Sequence, residues 1–190
     1  RLNDQKFAQK TNNVLVEHIA SYYFFNAIAK RSGINEDIYF LPASDVSNVT
    51  TLANLLLGWK LGFYIVLGHH NQGHEIYDYF RYHLYQNDDT RTQENILLLQ
   101  RGFKKAEDLF STLDFKKRVG ITESNSEYME NHNLSRPIMA SSFLSRVQSG
   151  EIGLNDLDEE TRENIDWLVQ SLSNMLGLKT PGEMKKKKTG

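Results

Sequence analysis

Four short apolar runs divide the first half of the chain, and none has the strict alternation of a half-exposed strand or the length of a helix face. Val14 to Val16, Ile38 to Leu41, Phe63 to Leu67 and Ile96 to Leu99 are each closed by a polar or turn-forming residue, the pattern of strands buried on both faces. Between them the apolar period lengthens to that of a helix. Ala20 to Arg31 carries Tyr22, Tyr23, Phe25, Ala27 and Ala29 and stops at Gly33. Ser44 to Asn48 offer turn and cap residues for a helix through Leu57, with Leu52, Leu55 and Leu56 at helical spacing and Gly58 after the last turn. Glu75 to Tyr85 repeats apolar or aromatic side chains at Ile76, Tyr77, Phe80 and Leu84, and Asn87 to Thr90 reads as a polar loop. Such alternation with short connections predicts an α/β fold, a Rossmann-like central parallel sheet of about four strands flanked by helices.

From Ser111 onward the pattern is helical alone. Leu113 to Val119 reads as a short helix, Ser124 to Ser135 as a polar loop or lid, and Pro137 suits the first turn of a helix through Ile138 to Val147. Gly150 to Asp158 is turn-rich, and Asp158 can cap a final helix. There Ile165, Leu168, Val169, Leu172, Met175 and Leu176 fall on one stripe, which fits packing on the chain's own sheet, with a dimerisation surface as the alternative. The predicted segments are a helical lead-in over 1–12, an α/β domain over 13–120, a helical extension packed on it over 121–180, and a disordered basic tail over 181–190.

Composition narrows the class. With 190 residues, 39% hydrophobic, 24% charged and 3 Pro, the chain is a folded globular one with room for one core and an extension. No apolar stretch is long enough for a membrane span, no basic-then-apolar leader is visible, and no membrane partner is expected. The absence of cysteine removes disulfides and thiolate metal sites, and points to a cytoplasmic setting. The net charge of −2 includes +4 from Lys185 to Lys188, leaving −6 on the body. That balance argues against strong independent nucleic-acid binding, and the lysine run reads as a solvated tail. The abrupt start at Arg1 suggests a piece of something larger.

Strand ends in such folds are where chemistry is placed. After the third strand come Gly68, His69, His70, Asn71, Gln72, Gly73 and His74. His69 and His70 should point to opposite sides. His70 and His74 would converge if a helix began at Asn71, and Glu17 could join them as a three-ligand site for Mn²⁺, Zn²⁺ or Ni²⁺. The plainer reading is polar histidines at an exposed strand end. Likewise Arg101, Lys104, Lys105, Lys116, Lys117 and Arg118 either line a phosphate-binding groove or are ordinary solvated charges.

Taken in order, the strand ends resemble one known family. Val16-Glu17-His18-Ile19-Ala20-Ser21 resembles a Val-Glu-Gly followed by Ser-Asp. Pro42-Ala43-Ser44-Asp45-Val46-Ser47-Asn48-Val49 resembles a Pro-Ala-Gly turn leading into Ser-Asn-Val. Leu67-Gly68-His69-His70-Asn71-Gln72-Gly73 stands where a strand ends in Asp-x-Asp near a Gly, and Glu107-Asp108-Leu109-Phe110 matches Glu-Asp-Leu-Phe. Arg136-Pro137-Ile138-Met139-Ala140 occupies the place of a later Lys-containing helix start. Over about residues 13 to 147 the chain resembles the topoisomerase–primase (TOPRIM) domain of OLD-family (overcoming lysogenisation defect) ATP-dependent endonucleases.

The resemblance implies two divalent ions about 4 Å apart, flanking a scissile phosphate and held by carboxylates. Here Glu17 matches, whereas the expected aspartates are Ser21, Gly68 and His70, and Arg136 replaces the later lysine. The residues left to act are Glu17, Glu107 and Asp108, with Glu17, His70 and Asp108 as the metal set; Mg²⁺ or Mn²⁺ is the cofactor if the site is active, and none otherwise. The expected function is a degenerate TOPRIM domain with a structural or assembly role in a DNA-related system such as phage defence. An ATPase domain or subunit would be its partner, with a homodimer or DNA as further partners. No Gly-x-x-x-x-Gly-Lys-Ser/Thr loop is present, so the ATPase lies outside these residues. The alternatives are an active metal-dependent nicking endonuclease, and a shared fold with an unrelated ligand.

Overall fold

Each of the four apolar runs forms a strand, and together they make one sheet. The computed structural model describes residues 12–120 and 135–179. Strands β1 (Asn13–Val16), β2 (Tyr39–Pro42), β3 (Tyr64–Leu67) and β4 (Ile96–Leu98) pair in the order β2-β1-β3-β4, all parallel. Leu15 lies opposite both Leu41 and Ile65, and Val66 opposite Leu97, so the carboxyl ends of all four strands reach one edge. Pro42 closes an outer strand. Tyr39 and Ala43 donate their N–H groups inward to β1, so Pro42, one residue out of phase, removes no ladder bond.

The longer helices are α1 (Ile19–Ser32), α2 (Val49–Gly58), α3 (Asn71–His83), α4 (Asp89–Asn95), α5 (Ser135–Gln148) and α6 (Glu159–Leu176). Because strand side chains alternate between faces, one sheet feeds two cores. Val14, Val16, Phe40 and Val66 meet α1, α5 and α6 on one side. Leu15, Ile65, Leu67 and Ile96 meet α2 and α3 on the other. Each fully buried aliphatic or aromatic side chain contributes roughly 1.5–3 kcal/mol relative to exposure. The stripe on α6 is consumed in this way, with Ile165, Leu168, Val169, Leu172 and Leu176 buried and Met175 packed partly buried beside them. Phe24 of α1 stacks at a tilt on Phe143 of α5 and on Phe110, so α5 and α6 share the core of the sheet.

The strand order fixes where loops diverge. From β1 to β2 the chain steps one way with α1 on one face, and from β2 through β3 to β4 it steps the other way with α2 and α3 on the opposite face. A single handedness of crossover demands that change of face. Between β1 and β3 the direction reverses, and the carboxyl ends of adjacent strands at such a reversal open a crevice.

Several local expectations need correction. Helix α3 begins at Asn71, five residues before the first periodic apolar position, Ile76, because His70 caps it. Of the expected loop over Asn87 to Thr90, Asn87 and Asp88 lie outside helix, but Asp89 and Thr90 already open α4, where the Asp88 side chain accepts from the Arg91 N–H at 2.9 Å. That helix is polar throughout apart from its packing residue Thr92, so no apolar period announces it. In α2, Leu56 is buried but Leu55 is 46% exposed. Gly58 is the last residue of α2, and Trp59 follows as its cap. Residues 112–119 form one α turn followed by a π turn. The lead-in over 1–11, the lid positions 124–134 and the tail over 181–190 lie outside the described residues.

A polar knot fastens α6. Asp158 accepts from the Ser111 hydroxyl and from the Thr161 N–H, and donates its own N–H to Asp114, which is buried. Ser111 donates its N–H to Thr161 Oγ1 at 2.9 Å. The Ser111 hydroxyl, and then the Thr161 N–H, hold the Asp158 carboxyl below its ordinary value. A carboxyl lowered by folding contributes stability above the unfolded value, and loses that contribution as the pH falls through the folded one. Urea midpoints measured between about pH 5 and about pH 2 should therefore fall less steeply in Asp158→Asn than in the parent, with a lower midpoint already at neutral pH. Identical slopes would remove Asp158 from the acid response.

Candidate functional site

Glu17 follows β1 directly and is only 4% exposed. A buried carboxylate must find donors or a cation. It finds donors across the β1–β3 crevice: the Gly68 N–H donates to Oε1 at 3.0 Å, and His70 Nε2 lies 3.2 Å from Oε2 and 3.1 Å from Oε1. On its far side the His70 ring caps α3, its Nδ1 accepting from the Gly73 N–H at 3.1 Å. An Nδ1 that accepts has no proton, so in the neutral ring the proton sits on Nε2 and points at Glu17.

The backbone here is packed to contact. A Cβ on Gly68 would stand 2.1 Å from the Lys104 carbonyl oxygen and 2.7 Å from the His70 ring, and one on Gly73 would stand 2.2 Å from the Gly68 carbonyl oxygen. Both positions require glycine for space, since neither has a positive φ. The loop that presses on Gly68 is itself fixed. His69 donates its N–H to Phe103 at 2.8 Å, its Nδ1 lies 3.1 Å from the Leu99 carbonyl, and Asp108 Oδ2 accepts from the N–H groups of Lys104 and Lys105 at 2.8 and 2.9 Å.

Glu107 is 8% exposed and ion-paired with Arg136, whose Nε and one terminal nitrogen each lie 2.6 Å from Oε1. Its Oε2 is buried without a hydrogen-bond partner. Ser21 is buried within α1, one turn beyond Glu17. Between the start of α1, the Asp45 turn and the start of α5 lies a cleft of about 260 Å³ lined by His18, Ser44, Asp45 and Arg136. Burial lowers the His18 pKa; Glu17 opposes this and Arg136 reinforces it. A wider groove of about 720 Å³, lined by Tyr64, Leu97, Met175 and Gly177 among others, lies beside β4 and away from this chemistry.

The expected residues are therefore brought together only in part. Glu17, Gly68 and His70 meet as expected. Asp108 does not join them: it is exposed and ends a tight turn. His74 packs edge-on to His69 at 4.6 Å between ring centroids, leaving the three-ligand set of Glu17, His70 and His74 unformed. Arg118 is engaged by Asp114 at 3.2 Å, whereas Arg101, Lys104, Lys105, Lys116 and Lys117 are exposed. Among the described residues no three histidine or acidic side chains gather to hold a metal ion. The donor set does not fit the pair of hard cations implied by the resemblance: the Glu17 carboxylate and one imidazole N–H face each other, and Gly68 offers no side chain. Sequence reasoning gave no role to His18 or to the Lys104 carbonyl, and placed Gly73 only as the nearby glycine of the resemblance. His18 was legible as the residue that replaces the glycine after Glu17; the Lys104 carbonyl acts through backbone proximity, which leaves no mark on residue type.

Family models, curated proteins and solved structures were compared with this chain. No match was found. No helix among the described residues is long and apolar enough to cross a membrane.

Substitutions at the two sites test this geometry. Gly68→Ala should lower stability by about 1–3 kcal/mol, the usual range for overpacking, whereas Gly62→Ala, with nothing within 4 Å, should stay within about 0.5 kcal/mol of the parent. Equal urea midpoints would contradict the contact with Lys104. Arg136→Met should cost about 2 kcal/mol, less than the ~3–5 kcal/mol of a fully buried broken pair, because the arginine is 30% exposed. Adding Glu107→Gln should restore part of that loss.

Proposed function

We propose that this chain is a TOPRIM-like domain of an OLD-like ATPase system that no longer cuts phosphodiester bonds and serves in assembly, docked on an ATPase domain or subunit. The observation that carries the reading is that each of the three carboxylates left to act has a partner within the chain. Glu17 is committed to Gly68 and His70, Glu107 to Arg136, and Asp108 to the N–H groups of Lys104 and Lys105. The space at Gly68 adds to this, because the missing aspartate would meet the Lys104 carbonyl.

Hydrolysis of a phosphodiester by metal ions needs ligands that hold the ions against both attacking and leaving oxygens. Internal pairing supplies instead a rigid end to the sheet, suited to a surface that another domain grips. Under this reading the domain is cytoplasmic, DNA is a partner of the assembly, and the exposed Arg101, Lys104, Lys105, Lys116 and Lys117 are solvated charges. A homodimer is compatible with the same role.

The purified protein should leave supercoiled plasmid intact in the presence of Mn²⁺, and should form a complex of defined mass with its ATPase subunit in light scattering. Nicking that disappears in Glu17→Ala, or a protein that remains monomeric and ignores the ATPase, contradicts the proposal.

A further inference from the structure

We infer that His70 stands where a divalent cation would otherwise neutralise Glu17, so that the ends of β1 and β3 are joined by a clasp that works without metal and excludes it. The inference rests on the non-cutting reading of the same site but says something separate, about binding rather than cleavage.

The two ring nitrogens make it so. Gly73 presents an N–H to Nδ1 at 3.1 Å, and Glu17 presents carboxylate oxygens to Nε2 at 3.1 and 3.2 Å. One neutral imidazole satisfies both only with its proton on Nε2. For His70 to become a ligand through Nε2 the proton must move to Nδ1, and two N–H groups would then face each other across the α3 cap. An ion seated between Glu17 and the ring would displace the Nε2–H, and the carboxylate would lose one of its two donors. Ion binding and capping of α3 therefore compete for one ring.

The surroundings hold the ring in that choice. Gly68, whose N–H is the second donor to Glu17, cannot acquire a side chain because of the Lys104 carbonyl, and that carbonyl belongs to the loop fixed by Asp108. The close approach of Gly73 to the Gly68 carbonyl keeps the first turn of α3 against the strand end. Apart from the Glu17 carboxylate, the contacts that position His70 come from backbone that is itself pinned.

The test uses the whole chain with MnCl₂ as the probe. Free Mn²⁺ read by electron paramagnetic resonance should stay undiminished by the protein, and its thermal midpoint should not move. The ring nitrogens of His70 in a ¹⁵N-labelled sample should show the Nε2-protonated tautomer. His70→Asp keeps a side chain suited to capping α3 but sets a second carboxylate beside Glu17. That variant should melt lower than the parent without metal and regain about 5–10 °C at Mn²⁺ a hundredfold above its dissociation constant. Mn²⁺ bound by the parent and released in Glu17→Gln overturns the clasp, as does a proton found on Nδ1. If the variant does not fold, the tautomer and the parent's Mn²⁺ titration still decide. Mn²⁺ binding without plasmid nicking overturns the clasp alone, whereas metal-dependent nicking overturns the non-cutting reading.

Discussion

A buried carboxylate at the end of a parallel strand has to be given donors or a cation, and how Glu17 meets that requirement shapes everything near it. The strand order β2-β1-β3-β4 puts the ends of β1 and β3 side by side, so whatever answers Glu17 must come from the residues after β3. Gly68 answers with its backbone and His70 with its ring. Because the same ring starts α3, the satisfaction of one strand end and the direction of the next helix are a single event. The demand for close approach then propagates outward, fixing glycine at 68 and 73 and drawing the loop around Lys104 down onto the strand.

A second pairing, Glu107 with Arg136, does a related task for the helical part of the chain. It ties the turn after β4 to the start of α5, while the Ser111, Asp114, Asp158 and Thr161 knot ties the same stretch to α6. The helices that follow the sheet are thereby anchored by polar contacts at their beginnings and by apolar ones along their length. His18 sits between these two systems, its proton affinity lowered first by burial, with Glu17 and Arg136 acting in opposite directions.

The fold was legible because burial on both faces writes unbroken apolar runs into the sequence, and these runs became strands in the expected order. Helix α6 was legible for a similar reason, its apolar stripe being long and regular. Helix α4 was not, since it is held by the Asp88 cap and one buried threonine, neither of which makes a period. The site was half legible. Residue types singled out Glu17, Gly68 and His70, which the structure brings into contact, and the condition that a helix start at Asn71 proved to be met. What residue types could not convey was the direction of side chains: His74 turns to His69, and Asp108 turns back on its own loop. The decisive restriction at Gly68 comes from a carbonyl oxygen, a group that every residue carries.

The central claim is that Glu17 is satisfied by protein and needs no ion. Crystals soaked in MnCl₂ and measured at the manganese absorption edge test it most directly. The account predicts no anomalous peak within about 2.5 Å of the Glu17 carboxylate, with the His70 ring still bridging Glu17 and the start of α3. A peak between Glu17 and a His70 ring turned away from Gly73 would contradict it.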